Sequence, residues 1–169
     1  RSIASAPQAK EYRVEALAYH MASMDLIAFG EPVAAQEHAS SLLPLAGKIR
    51  NQYFITNAFC TKATVSGLVG NWDDARSFID EGLTDAPMDP RTLGLRIMVE
   101  YEVGNFGRGE TFLERLLETM RASSQAGSVA NASVAFALSA ISRLTGVADR
   151  LDMAEQVADA INNQSLGLN

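Results

Sequence analysis

Residues 70–117 carry one pattern twice. Gly70-Asn71-Trp72 is followed by Ala75, Ile79 and Leu83, and Gly104-Asn105-Phe106 is followed by Gly109, Leu113 and Leu117, at an offset of 34 residues throughout. Each half has a physical reading. Glycine suits the left-handed position that ends a helix. Asn71 suits the N-cap of the next helix, and Asp73 and Asp74 then fall in its first turn, where the helix dipole favours negative charge. A small residue at Ala75 or Gly109 lets two helices of a hairpin approach near the short end of the ~8–10 Å range of helix spacings. Ile79 and Leu113 then fill the space towards the next unit. A chain built this way is a set of helix–turn–helix units. Five prolines and the lack of a long Val/Ile/Thr alternation give strands little support.

The rest of the chain reads the same way. Residues 1–8 are polar and small and read as a flexible end. Apolar residues at helical spacing (Val14, Leu17, Met21, Met24, Leu26, Ile27) place a helix over 9–28. Gly30-Glu31-Pro32 ends it and starts a second, with Pro32 at the first helical position, where its missing N–H is not needed. Pro44 and Gly47 should disturb this second helix, which then ends near Ala46. A third helix is expected over 51–69 and a fourth from Asn71 to the break at Ala86-Pro87. The fifth, 91–103, is apolar nearly all round, which means packing on both sides. A sixth spans 106–121. A Ser/Gly loop over 123–128 precedes a seventh helix, 129–144, and an eighth, 151–162. The expectation is one all-α domain over 9–163, made of about four antiparallel helix pairs, with a tail at 164–169.

Composition narrows the function. A net charge of −6 and an estimated pI near 4.9 argue against a surface that grips phosphates, so no nucleic-acid contact is expected. No apolar run approaches the ~18 residues of a membrane helix. The single cysteine, Cys60, excludes an intrachain disulfide and a cysteine zinc site, and fits a reducing, cytoplasmic setting. The chain opens on Arg1 without a signal-peptide pattern, and reads as a piece of a longer protein.

The doublet resembles the tetratricopeptide repeat, whose period is 34 residues. The middle copy supplies Phe59, Ala63, Gly70, Asn71, Trp72, Ala75, Ile79, Gly82 and Pro87 at the family's positions. The next keeps Gly104, Asn105, Phe106, Gly109 and Leu113, and departs at Ile97 and Leu116, where large residues threaten the close approach of its two helices. A first copy (Tyr19, Ser23, Gly30, Ala35) and a fourth around Ala154 sit at longer offsets. Further stretches (Asp85-Ala86-Pro87, Asp89-Pro90-Arg91, Glu100 to Phe106, Gly109-Glu110, Leu113 to Leu117, Ser142 to Gly146, Leu151 to Glu155) look like the helical-repeat region of large bacterial LuxR/MalT-like or adenylate-cyclase-associated ATPase regulators. The resemblance implies a right-handed αα-superhelix and a non-catalytic interaction module of a signalling or transcriptional regulator. It would bind a protein, a peptide or a small effector. Carrying over the family's groove positions gives His20, Met24, Asn57, Cys60, Thr64, Arg91, Met98, Tyr101 and Glu102, followed by Phe136 and Arg143. Gly70, Trp72, Ala75, Ile79, Gly104, Phe106, Gly109 and Leu113 are the repeat-packing positions.

Other motifs dissolve on inspection. Residues 104–111 mimic a P-loop, but Glu110 replaces the lysine that reaches the phosphates, and the repeat turn explains the glycines. His20 and His38 are too few for a zinc site, and Cys60 lacks the partners of a nucleophile. Asp85 and Asp89 lack calcium-loop spacing. Glu110, Glu114 and Glu118, with Arg115 and Arg121, read as a solvated face. No enzyme constellation, metal or cofactor is expected. The alternative to a ligand-binding module is a structural oligomerisation segment. The last helix pair should expose apolar area, leading in isolation to a homodimer and in a longer chain to cover by a further repeat.

Overall fold

Three glycines adopt nearly the same left-handed backbone: Gly30 at φ 79°, Gly70 at 81° and Gly104 at 77°. At each, the glycine N–H bonds the carbonyl three residues back and the next N–H bonds the carbonyl five back. The pairs are Gly30 to Ile27 and Glu31 to Leu26, Gly70 to Gly67 and Asn71 to Ser66, Gly104 to Tyr101 and Asn105 to Glu100, all between 2.8 and 3.1 Å. This is the Schellman end, which satisfies carbonyls that a helix leaves open. Only glycine takes φ near +80° without strain, so the turn is written in the sequence. The following helix closes identically each time, with Ala35, Ala75 and Gly109 donating to the carbonyls of residues 31, 71 and 105 at 3.1 Å. The 34-residue doublet is therefore a triplet of identical turns.

The computed structural model describes residues 6–123 and 129–165. Among these are nine helices: α1 (Ala6–Ala28), α2 (Pro32–Ser40), α3 (Leu42–Ile49), α4 (Gln52–Leu68), α5 (Trp72–Asp85), α6 (Pro90–Glu102), α7 (Phe106–Ala122), α8 (Val129–Thr145) and α9 (Ala148–Ser165). The described part of the protein is all-α. Several starts are capped. Asn51 accepts from the Tyr53 N–H at 3.0 Å, Asn71 from Asp74 at 3.3 Å and Asp89 from Thr92 at 3.0 Å. Pro32 and Pro90 hold first-turn positions of α2 and α6.

Three expectations about boundaries change. The second expected helix is two, parted at Ser41. Pro44 disturbs it earlier than expected: it sits in the first turn of α3, and the N–H it lacks is the one that a continuous helix would bond to the Ser40 carbonyl. Gly47 lies inside α3, which ends at Ile49 with Arg50 in the left-handed conformation. α1 starts at Ala6, taking in part of the end expected to be flexible, and α9 runs from Ala148 to Ser165, taking in part of the tail. Apart from Ser123, the expected Ser/Gly loop lies outside the described residues.

The chain divides into two compact units, Arg1–Ala86 and Pro87–Asn169. In the first, α1 packs on α2, α3 and α4, and α4 packs on α5. Its core joins Ala35, Ala39 and Val65 with Leu26 and Ile27, and Leu42, Ala46 and Ala58 with Tyr19 and Phe54. Ala75 and Ile79 of α5 are fully buried, as the repeat pattern requires, and Trp72 is half-buried against Gly67. α1 holds a difference from expectation. Its buried face carries Ala16 and Ser23, whereas Val14, Leu17, Met21 and Met24 are exposed.

In the second unit α6 packs on both α7 and α8, and α8 packs on α9. This is the two-sided packing its apolar circumference predicts. Leu93, Ile97, Leu113, Leu116, Val134 and Leu138 are at most 1% exposed. Ile97 and Leu116 do not prevent close approach. The tight point is Gly109, where an added Cβ would lie 2.6 Å from the Tyr101 ring. The missing side chain of α7 makes the space into which α6 sends an aromatic ring. Phe106, expected to pack, is 49% exposed and touches only the Tyr101 ring among described aromatic pairs, at 5.3 Å between centroids.

α6 also buries an ion pair. Arg96 and Glu100 are at most 1% exposed, with Arg96 Nε donating to Glu100 Oε1 at 2.8 Å. The guanidinium lies 5.1 Å from the centre of the Phe112 ring, and Arg108 Nε is 3.9 Å from the same carboxylate oxygen. One turn of helix separates the partners, so the pair forms without distorting the backbone.

Candidate functional site

The expected groove residues fall into two sets, one in each unit. In the second unit, Asp89 caps α6 and holds Arg91 through an ion pair of 3.3 Å. Arg91, Met98 and Glu102 follow at spacings of seven and four, and so form one stripe along α6. α8 runs parallel beside it. Gly94 faces Ser133, and further along Glu102 accepts from Arg143 Nη2 at 3.2 Å, so both helices advance together. Phe136 lies seven residues before Arg143 on the same stripe of α8, and is 57% exposed. Met98 is half-buried four residues before Glu102. The two stripes thus carry a sulfur side chain one turn, and an exposed aromatic two turns, before the residues of a cross-helix ion pair.

Tyr101 departs from this set. It is 5% exposed and turned towards α7, where its hydroxyl donates to Glu110. Glu110 also accepts from Arg150 Nη2, at 2.9 Å to each carboxylate oxygen. Glu110 keeps 41% of its side chain exposed, yet it is held by Tyr101 and Arg150 rather than standing free on a solvated face, and the false phosphate loop is the turn and first turns of α7 with its acid paired to α9. Burial, then the Glu110 hydrogen bond and charge, push the Tyr101 hydroxyl up to about 12, with Arg150 opposing. Raised above its unfolded value near 10, this group favours folding below pH ~10, and that contribution is lost as pH rises through the folded value. Spectrophotometric titration should show a tyrosine step near pH 12 that is absent in Tyr101→Phe. A Tyr101→Phe titration curve that keeps the late step would remove the assignment.

In the first unit, Asn57, Cys60 and Thr64 are half-buried and spaced three and four apart on one face of α4. His20 of α1 meets them through Thr61. His20 Nδ1 lies 2.9 Å from Thr61 Oγ1, and Thr61 donates to the Asn57 carbonyl at 2.8 Å. Thr64 donates to the Cys60 carbonyl at 2.9 Å. Met24 is 40% exposed one turn beyond His20. Thr61 was not singled out from the sequence; its signal is its place four residues after Asn57, beside Cys60. Arg150 and Phe112, which hold Glu110 and Arg96, had no local signal.

Among the described residues no group of three or more His, Cys, Asp or Glu side chains could hold a metal ion, and no helix is long and apolar enough to cross a membrane. An open cavity of about 390 Å³ lies in the second unit, lined by Met120, Asn131, Met153, Gln156 and Val157 among others. No family model, curated protein or solved structure matches the chain.

Proposed function

We propose that this chain is a non-catalytic binding module, a tetratricopeptide-like array whose hairpins form a right-handed αα-superhelix, and that it recognises a protein or peptide. A small effector is the smaller-scale version of the same reading. The observation that carries it is the α6–α8 stripe, where Phe136 stands exposed on the same face of α8 as Arg143, two turns before it, and Met98 lies one turn before Glu102, the partner of Arg143. Exposed aromatics with methionine and arginine at their margins are the composition of interface hot spots. The three identical turns support the repeat reading. The likeness of the Gly70–Ile161 stretch to helical-repeat regions of bacterial regulators supports a place in a cytoplasmic signalling or transcriptional regulator, where other domains would carry catalysis and DNA contact.

The test is selection of a displayed peptide library on the immobilised chain, followed by titration of enriched peptides by fluorescence anisotropy. Phe136→Ala and Met98→Ala should each weaken binding by about tenfold, the effect of losing roughly 1.4 kcal/mol at a hot spot. Phe136 is exposed, so its removal leaves folding intact. Failure to enrich any peptide, or enriched peptides that bind Phe136→Ala as well as the parent, defeats the proposal.

A further inference from the structure

In the first unit, α2 and α5 both pack on α4, and a cavity of about 110 Å³ opens among the three helices. Gln36 and Ser40 reach it from α2, Lys62 and Ser66 from α4, and Asp74 and Phe78 from α5. On each helix the two residues are four apart, so each helix turns one face to the cavity. Sites for drug-sized ligands run to ~300–1,000 Å³. This one takes a solute of a few heavy atoms.

The polar groups around it are not spent on one another. Ser66 is 6% exposed. Thr61 and Thr64 on the same helix donate to the carbonyl four residues back, whereas the Ser66 hydroxyl makes no hydrogen bond among the described residues. No enclosed side-chain oxygen among these residues lacks a partner, so the Ser66 oxygen is reached from the cavity that it lines. Lys62 is half-buried and makes no ion pair among the described residues. Its Nζ lies 4.5 Å from the centre of the Phe78 ring, a contact that holds a cation without neutralising it. Asp74 lines the same cavity and does not close on Lys62. Its Oδ2 accepts from Asn71 Nδ2 at 2.7 Å, and its Oδ1 has no donor among the described residues.

We infer that this cavity binds a small α-amino acid, of glycine to serine size, as its zwitterion. The Lys62 ammonium and the Ser66 hydroxyl donate to the ligand carboxylate, and the Asp74 carboxylate accepts from the ligand ammonium. A cation and an anion that line one small cavity without pairing are complementary to a solute that carries both charges. A phosphate would meet Asp74 as a like charge, and a simple amine would meet Lys62 as one. Charge-assisted hydrogen bonds at both ends fix the direction of the solute. Gln36 has an amide N–H for the second carboxylate oxygen. Ala39 and Val65 complete the wall, which leaves a methyl or hydroxymethyl side chain in apolar surroundings. The peptide site proposed above depends on Phe136 in the other unit, so the two readings stand or fall separately.

The test is titration of the isotope-labelled chain with glycine, L-alanine and L-serine, followed by heteronuclear NMR. The amide signals of Gln36, Lys62 and Ser66 should shift and saturate, with a dissociation constant on the order of a millimolar for a ligand of so few atoms. Propionate and ethylamine, each with one of alanine's two charges, should bind the parent chain about tenfold more weakly or worse. That comparison needs no variant. Lys62→Gln and Asp74→Asn, which keep the shape and remove one charge each, should also weaken alanine binding by about tenfold. Neither side chain belongs to the buried core, so circular dichroism should stay that of the parent. Ser66→Ala should weaken binding by a smaller factor. The absence of saturable shifts around the cavity overturns the inference. So does propionate or inorganic phosphate binding as well as alanine, or alanine binding that Lys62→Gln and Asp74→Asn leave unchanged.

Discussion

Ala75→Arg is expected to unfold the first unit. Ala75 has no exposed surface and lies where α5 crosses α4, one residue position from which the whole hairpin takes its spacing. An arginine there meets two separate penalties. Its volume exceeds the site, and overpacking a filled core costs about 1–3 kcal/mol. Its charge would sit where Ala75 has no exposed surface, and burying an uncompensated charge adds several kcal/mol. Total stabilities of roughly 0.05–0.15 kcal/mol per residue leave little beyond that for a unit of this size. Trp72, three residues away and the only tryptophan, reports the outcome. Its emission should shift to the red and its cooperative melt should disappear in Ala75→Arg. Ala75→Gly, which keeps the space and loses about 1 kcal/mol of helix propensity, should retain the melt at a lower midpoint. A wild-type melt in Ala75→Arg would show that position 75 faces solvent and that the repeat register is misplaced.

What could be read in the sequence was what depends on near neighbours. Gly70-Asn71-Trp72 and Gly104-Asn105-Phe106 gave their turns because a left-handed glycine and the helix start after it are local requirements. The first copy, Gly30-Glu31-Pro32, folds into the same turn with no side-chain cap at Glu31, its proline doing the work of starting the helix. Asn57, Cys60 and Thr64 could be placed on one face from spacing alone. The contacts hidden from such reading are those between residues far apart in the chain. Nothing near Glu110 shows that Arg150, forty residues on, will hold it. The same is true of His20 and Thr61. Tyr101 looked like a groove residue because its own helix gives no hint that Gly109 opens a space opposite. The exposed apolar stripe of α1 misled in another way. Its apolar spacing is that of a buried face, and the truly buried face is made of alanine, serine and half-covered tyrosines.

Glu100→Ala should be the most damaging change in the second unit. The carboxylate is fully buried and holds Arg96 at 2.8 Å, with Arg108 3.9 Å away. Removing it leaves the Arg96 guanidinium at 1% exposure without that counter-charge, and breaking one side of a buried pair costs about 3–5 kcal/mol. The Phe112 ring offers Arg96 a cation–π contact, worth on the order of 2 kcal/mol when desolvated, which lessens the loss without cancelling it. The pair itself adds much less than its rupture removes, because both ions gave up water to form it. Arg96→Met with Glu100→Leu should therefore come within about 1–2 kcal/mol of the parent, in either direction. Urea unfolding followed by far-ultraviolet circular dichroism measures these variants against the parent, with Arg96→Met alone and Glu100→Leu alone completing the cycle and isolating the coupling between the two side chains. A large positive coupling with a well-folded double variant means that the pair selects its own partner rather than supplying net stability. A Glu100→Ala protein as stable as the parent would mean that water reaches Arg96, and that α6 is not sealed between α7 and α8.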